Sequence, residues 1–274
     1  MIPSKAVRGL VALAIAASAF PAAADAAETT VVKFCNQKFS GPGILEADLV
    51  CTDPINKRRP AVQIINGGML DLNGFTIVKG RGRNAVRCHR NCQIRNGTME
   101  MLTRGKSAVR GRRKLTVENV DIIGGWIHGA LGRKGVFVFD STITATRATG
   151  VKSARAEILI QNSEISFVGD RGNDFNGIGA QAPRRIQILD SSIHDNARFG
   201  ALSLERRVIA EGTEFFNNQG RSDRCGIDLA CADISSQNRP TLFESTCELS
   251  HKRRGVEDPD AVPARDWDLC TLDP

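Results

Sequence analysis

The chain has 274 residues, of which 41% are hydrophobic, 26 are glycine and 10 are proline, a balance that is typical of a folded protein and excludes disorder and collagen. Lys and Arg number 37 against 30 Asp and Glu, a formal net charge of +7, which allows an acidic partner but is modest for a nucleic-acid-binding protein. Aromatic residues make up only 5%, with two Trp and no Tyr, so platforms that stack nucleobases are not expected. We therefore expect no nucleic acid partner.

The N-terminal segment 1–26 has the pattern of a secretory signal peptide. Lys5 and Arg8 precede an apolar run at residues 10–20, and the small-residue string PAAADAAE follows. The run is too short to cross a bilayer, which takes about 20 residues, and no later segment approaches that length. We expect a secreted or periplasmic protein without a membrane span.

Eight cysteines follow this segment, and exported proteins use cysteine mainly in disulfides. In chain order they are Cys35, Cys51, Cys88, Cys92, Cys225, Cys231, Cys247 and Cys270. We expect sequential local pairs that fasten both ends of the chain, although eight cysteines permit many other pairings. Zinc is the alternative at Cys88 and Cys92, which lie close together beside His89, but no second ligand pair at zinc-finger spacing follows. We expect no metal site.

A repeat of about 22 residues dominates the rest of the sequence. Seven segments share one template, in which an apolar residue is followed two positions later by Asn, Asp or Gly and three positions after that by a second apolar residue: LDLNGFTI, CQIRNGTM, LTVENVDI, VFVFDSTI, ILIQNSEI, IQILDSSI and VIAEGTEF. The third template position is held by Gly74, Asn96, Asn119, Asp140, Asn162, Asp190 and Gly212.

The residue types at this position predict a sharp corner, because Gly, Asn and Asp tolerate a left-handed backbone at low cost. A period-two stretch precedes each corner, as at Leu115 and Val117, and a small residue followed by an apolar one recurs farther upstream, as at Gly150 and Val151. The apolar anchors after the corners are Ile77, Met99, Ile122, Ile143, Ile165, Ile193 and Phe215. Three short strands per coil without a helical period predict a β-solenoid. A leucine-rich repeat has a similar length, but leucine does not dominate here and a further β-like stretch follows each corner.

The strings LDLNGFTI and IRNGTM resemble the opening coils of right-handed parallel β-helix proteins, the pectin-lyase fold. The resemblance covers residues 61–249 and implies an all-β, single-stranded right-handed parallel β-helix of about seven to eight coils with disulfide-fastened ends. We expect an N-terminal cap at 27–60, a C-terminal tail or cap at 250–274, and a monomer. The family includes polysaccharide lyases, hydrolases, epimerases and adhesins, so the resemblance specifies the fold better than the function.

The signature strings of the family's known enzymes are missing. The NTD, DD, GHG and RIK strings of the galacturonan hydrolases do not occur, and neither does the DPHE string of the alginate epimerases. Two functions stay open: a lyase or glycoside hydrolase that binds and cleaves or remodels an acidic polysaccharide, and a noncatalytic solenoid that binds a glycan or a protein on its flat face.

Candidate binding residues lie in the first strand of each coil. The residue after the small–apolar pair should point outward, which gives the row Arg87, Arg110, Leu131, Lys152, Gly179 and Leu202. Its cations can meet the carboxylates of a polyuronate, or they simply keep a flat sheet soluble. Trp126 and His128 precede one such strand and can share a side, as a stacking ring beside a titratable group; alternatively, Trp126 packs against its neighbours in the solenoid.

The single long step between corners, from Asn162 to Asp190, contains the polar string FVGDRGNDFNGIGAQAPRR. Its Asp and Asn side chains offer oxygen ligands for calcium, and Asp170 and Asp174 can form an acid–base pair, but a glycine-rich surface loop explains the string equally well. The spacing matches no known calcium loop, so we expect no cofactor, with calcium as the alternative. The candidate catalytic residues are His128, Lys152, Asp170 and Asp174, and the candidate substrate-binding residues are Arg87, Arg110, Lys152, Trp126 and Asn176.

Overall fold

A computed structural model describes residues 28–53, 58–169, 177–218, 232–248, 250–252 and 269–270. The strands are β1 (Thr30–Val32), β2 (Gln37–Leu45), β3 (Leu49–Cys51), β4 (Val62–Asp71), β5 (Thr76–Lys79), β6 (Val86–Cys88), β7 (Cys92–Gly111), β8 (Leu115–Gly132), β9 (Val136–Phe139), β10 (Thr142–Thr144), β11 (Thr149–Ser153), β12 (Ile158–Gln161), β13 (Glu164–Ser166), β14 (Ile178–Ala182), β15 (Ile186–Leu189), β16 (Ser192–His194), β17 (Phe199–Ser203), β18 (Val208–Glu211), β19 (Glu214–Phe216), β20 (Ala232–Ser236), β21 (Thr241–Phe243) and β22 (Ser250–Lys252). Within these ranges no helix is long and apolar enough to span a membrane.

The chain winds through three parallel sheets, one strand of each sheet per coil. Sheet 1 contains β6, β11, β14 and β17, sheet 2 contains β9, β12, β15 and β18, and sheet 3 contains β10, β13, β16 and β19. The long strands β7 and β8 pass through all three sheets. The predicted all-β solenoid is confirmed.

The predicted corner lies between sheet 2 and sheet 3. All seven corner residues have positive φ, between 46° and 81°. Their side chains form hydrogen bonds from coil to coil, with the Asn119 amide donating to Asn96 and the Asn162 amide donating to Asp140, both over 3.1 Å. The stack of corners therefore rests on left-handed backbone and on a row of side-chain amides and carboxylates.

The predicted apolar anchors form one inward stack in sheet 3. Ile143 pairs with Ile122 on one side and with Ile165 on the other. All seven anchors are at most 1% exposed. Each anchor thus covers its counterpart one coil away, at the strand spacing of about 4.8 Å.

The two ends of the solenoid are fastened as expected. Disulfides join Cys35 to Cys51, Cys88 to Cys92, and Cys247 to Cys270, which confirms three of the sequential pairs; Cys225 and Cys231 lie outside the described residues. The stacked coils extend beyond both boundaries predicted from the repeat, because β2 already pairs with β4 and β20 still pairs with β22.

Candidate functional site

The outward row of sheet 1 brings the predicted cations together. The parallel register pairs Arg87 with Arg110, Arg110 with Leu131, and Leu131 with Lys152. Arg110 is exposed, and Arg87 and Lys152 are half-buried. We call Arg87, Arg110 and Lys152, together with the neighbouring His128, the cationic face.

The next position in this row is Gln181, whereas the sequence repeat predicted Gly179. Lys152 pairs with Gln181, so Gly179 stacks on Gly150 instead. A Cβ atom on Gly150 would lie 2.8 Å from the carbonyl oxygen of Gly179, so the stacking has no room for a side chain there. Gly177–Ile178 and Gly179–Ala180 both fit the small–apolar pattern, and packing against the previous coil selects the second pair.

The cations of this face lie among like charges. Burial lowers the pKa of Arg87 from its usual value, and the nearby charges of Arg112, Arg110 and Arg83 lower it further. Burial also lowers the pKa of Lys152. In the described part of the chain no ion pair reaches Arg87, Arg110 or Lys152. The face therefore carries positive charge that carboxylates of the described residues do not neutralise.

His128 lies beside these cations in its neutral form. Burial, with the charges of Lys152 and Arg110, lowers its pKa to about 4. Its Nδ1 atom is buried and has no hydrogen-bond partner within the described residues. Because Nδ1 is buried, a hydrogen bond between this neutral imidazole and a ligand hydroxyl would have to involve Nε2.

Trp126 does not belong to this face, and the expectation that its ring could stack on a sugar is wrong. The side chain is fully buried in the core. Trp126 and His128 span the bend between sheet 3 and sheet 1, where the two-residue alternation of a straight strand does not apply. The ring packs under Gly105, where an added Cβ would come within 3.2 Å of Trp126 Cε3.

Three other candidates cannot be placed. Asp170, Asp174 and Asn176 lie outside the described residues. Their proposed roles as an acid–base pair, calcium ligands or substrate contacts stay predictions. Within the described ranges, no group of three His, Cys, Asp or Glu side chains is placed to hold a metal ion.

The turns between sheet 1 and sheet 2 carry a further set of cations that the sequence analysis missed. We call these turns, residues 89–91, 112–114, 133–135, 154–157, 183–185, 204–207 and 237–240, the basic edge. The available signal was a basic dipeptide or tripeptide just before the apolar strand of many repeats, as in RRKLTV, RRIQIL and RRVIAE. Because the repeat template began at the strand, it left these residues out.

His194 has a structural role on sheet 3 rather than a free position on the surface. Its Nδ1 atom lies 2.7 Å from Asp195 Oδ2, and its Nε2 atom lies 3.3 Å from Glu164 Oε1. The ring stacks on Phe216 with 4.5 Å between centroids. Because both nitrogens and one ring face are occupied, His194 ties neighbouring coils together.

An acidic groove of about 580 Å³ runs along the corner between sheets 2 and 3. Its carboxylates come from Asp140, Glu164, Asp190 and Glu214. Negative charge in this groove and positive charge on the cationic face and the basic edge give the described solenoid unlike sides, and the positive side suits an anionic ligand.

The comparison with known families agrees with this architecture. The family model described as a right handed beta helix region matches residues 129–248. The described chain folds as a parallel β-solenoid, and its residues 129–248 resemble right-handed β-helix proteins. No curated protein and no solved structure matches the chain. The matched region of the β-helix contains Lys152 of the cationic face and five turns of the basic edge.

Proposed function

We propose that this β-helix binds an acidic polysaccharide on the cationic face. The observation that carries the proposal is the row of Arg87, Arg110 and Lys152, aligned by strand register and without an ion-pair partner among the described residues. Guanidinium and ammonium groups bind carboxylates through charge-assisted hydrogen bonds. A polyuronate supplies such carboxylates along an extended chain.

The neighbouring groups favour a sugar polymer over a nucleic acid. Gln63 and Gln181 flank the cations in the same row and can hydrogen-bond hydroxyl groups. Single-stranded nucleic acids bind to surfaces with aromatic stacking platforms, whereas the strongly exposed aromatic side chains of the described residues, Phe34, Phe167 and Phe243, do not belong to the sheet 1 row.

Cleavage of the bound polymer is a second candidate function, favoured by the lowered pKa of Lys152. Once it has lost its proton, Lys152 can act as a base that removes the proton at C5 of a uronate while the bond from C4 to the glycosidic oxygen breaks, which leaves a C4–C5 double bond and a leaving oxygen that takes a proton from water. Arg110 would pair with the uronate carboxylate. His128 is the weaker base, because its pKa is about 4.

Binding and cleavage can be tested together. We expect the wild-type protein to bind pectate or alginate, and we expect an Arg110→Gln/Lys152→Gln variant to bind at least tenfold more weakly. Lys33→Gln/Arg104→Gln removes the same charge outside sheet 1 and should change affinity less than twofold. Equal affinities in the two variants would contradict the proposal. Ultraviolet absorbance from unsaturated uronate products reports cleavage, and binding without product identifies a noncatalytic binding module.

We also propose that the protein acts outside the cytoplasm. Three disulfides close loops in the described chain, and such bonds persist in oxidising compartments. Cell fractionation should find the protein in the periplasm or the medium, and a cytoplasmic protein with reduced cysteines would contradict this proposal.

A further inference from the structure

The basic edge stacks its cations in register along the solenoid. The backbone amide of Arg133 donates to the carbonyl oxygen of Gly111 over 3.1 Å, and the amide of Lys134 donates to Arg113 over 3.3 Å. Farther along, the amide of Glu205 donates to Pro183 over 2.8 Å. These bonds place equivalent turn residues of neighbouring coils above one another, about 4.8 Å apart.

The charge on this edge is strongly one-sided. Its cations are Arg90, Arg112, Arg113, Lys114, Arg133, Lys134, Arg155, Arg184, Arg185, Arg206, Arg207 and Arg239. These twelve cations stand against two carboxylates, Glu157 and Glu205, so the edge carries +10, which exceeds the +7 of the whole chain. All twelve are exposed, and the ion pair found among them in the described structure joins Arg185 to Glu157 over 3.2 Å.

Such a row costs stability unless an anion is present. The turns that carry these like charges stack about 4.8 Å apart, and charges that come within the screening length of about 8 Å at physiological ionic strength repel one another. Solubility is better served by mixed charges, and charges that protect a β-solenoid from edge-to-edge pairing belong at its terminal strands. The basic edge instead follows the side of the solenoid through successive coils.

The basic edge and the cationic face form one electrostatic surface. Arg112 of the edge lowers the pKa of Arg87 on the face. His89, the first residue of its turn, has a pKa lowered by burial and then by Arg87, Arg112 and Lys38. Around these coils the charges of the edge and of the face therefore act on the same groups.

We propose that the basic edge is a second binding track that holds a linear polyanion parallel to the solenoid axis, with one anionic group for each coil. The inference rests on the proposed function, because it takes the ligand to be an acidic polysaccharide, and it narrows the class to chains with a charge on every sugar, such as polyuronates. Each of the seven turns carries an exposed cation, and the five central turns extend from Arg113 to Arg206. The track thus fits a polyuronate of about five or more sugar residues, with one sugar residue for each coil at the strand spacing.

The test compares an edge variant with a charge-preserving control. Arg113→Gln/Lys134→Gln/Arg155→Gln/Arg184→Gln removes four exposed turn cations, whereas Arg113→Lys/Arg155→Lys/Arg184→Lys keeps their charge. The probes are oligogalacturonates of defined length, measured by calorimetry over a range of salt concentrations. For the wild type we expect affinity to rise with length up to about five or six residues. We expect the glutamine variant to lose at least tenfold in affinity for the long oligomers and to lose this length dependence, while the lysine variant stays close to wild type.

The salt dependence gives a second readout. Loss of four ion contacts should lower the slope of log affinity against log salt by roughly 3, by analogy with single-stranded polyanions. If the wild type binds oligogalacturonate and the glutamine variant binds with the same affinity, length dependence and slope, the edge inference is overturned while the function of the face stands. If the wild type binds no acidic polysaccharide, the proposed function is overturned as well. Tighter binding of single-stranded DNA than of oligogalacturonate would contradict the polysaccharide class.

Discussion

The Asn119 side-chain amide donates a hydrogen bond to the side-chain oxygen of Asn96 one coil away, over 3.1 Å, and both residues hold a left-handed backbone with φ of 51° and 58°. The same residue thus sets the direction of its own coil and fastens that coil to the previous one. This double role suits Asn and Asp, whereas Gly74 and Gly212 meet only the requirement for positive φ.

Replacing Asn119 with alanine should separate these two roles. Alanine removes the hydrogen bond and also strains the left-handed backbone, so we expect a loss of about 2 kcal/mol in the free energy of unfolding. Asn119→Gly removes the hydrogen bond but tolerates the positive φ, so it should lose clearly less free energy of unfolding than the alanine variant. Urea unfolding measures both, and a glycine variant that is no more stable than the alanine variant would show that backbone conformation is not the constraint.

Close packing at the start of sheet 1 predicts a steric cost for any side chain at Gly150. An added Cβ would lie 2.5 Å from Ile165 Cγ2 and 2.8 Å from the Gly179 carbonyl oxygen. We expect Gly150→Ala to lower the free energy of unfolding by about 2–3 kcal/mol. Gly111→Ala is the matched control, because its nearest atom, Leu115 Cβ, is 3.1 Å away. Similar losses in the two variants would contradict the packing argument.

The N-terminal disulfide should contribute more to stability than the short one. Cys35 and Cys51 are 16 residues apart, whereas Cys88 and Cys92 are 4 apart. In the chain-entropy model, removing the first bond costs about 3 kcal/mol and removing the second about 2 kcal/mol. Thermal unfolding of the paired Cys→Ala variants measures the difference, and a larger loss from the Cys88–Cys92 variant would contradict this ranking.

The lowered pKa of His128 predicts acid sensitivity. The folded protein keeps His128 neutral down to about pH 4, whereas the unfolded chain binds the proton near pH 6.5. The unfolded state therefore binds more protons between these values, and stability falls as the pH is lowered from 6.5 to 4. In the His128→Gln variant we expect the free energy of unfolding to fall less over this pH range, by on the order of 2 kcal/mol.

Urea unfolding at pH 7 and pH 4.5 measures that difference, and nuclear magnetic resonance titration of the imidazole measures the pKa itself. Because Lys152 and Arg110 contribute to the shift, a bound polyuronate should raise the His128 pKa toward its usual value. An unchanged imidazole titration in the presence of saturating ligand would place the ligand away from this residue.

The coil architecture could be predicted because its signals are local. The corner requires a residue that tolerates positive φ, and the anchor after it must be apolar, so both recur at fixed spacing regardless of the rest of the chain. One corner departs from the pattern of Asn, Asp or Gly and is absent from the seven matching segments. Glu244 holds the same corner in a later coil with φ of 46°, although glutamate is not among the favoured residue types.

The candidate site was harder to predict, because it depends on contacts between coils. The choice between Gly177 and Gly179 is settled by stacking on Gly150, which spacing alone cannot show. Trp126 is buried because the chain bends here between sheet 3 and sheet 1. The prediction that it shares a side with His128 assumed the alternation of a straight strand, which does not hold at a bend. The regular repeat made it possible to predict that Arg87, Arg110 and Lys152 form a row. That no carboxylate of the described residues pairs with them could be seen only in the structure.

Lysine footprinting locates the ligand on the protein without any substitution, so it tests binding along this side of the solenoid directly. The protein is acetylated with and without a saturating polyuronate, and each lysine is quantified by mass spectrometry. We predict protection of Lys152 on the cationic face and of Lys114 and Lys134 on the basic edge, with Lys33 unchanged. Protection of Lys33 to the same extent, or none at Lys152, would contradict binding along this side of the solenoid.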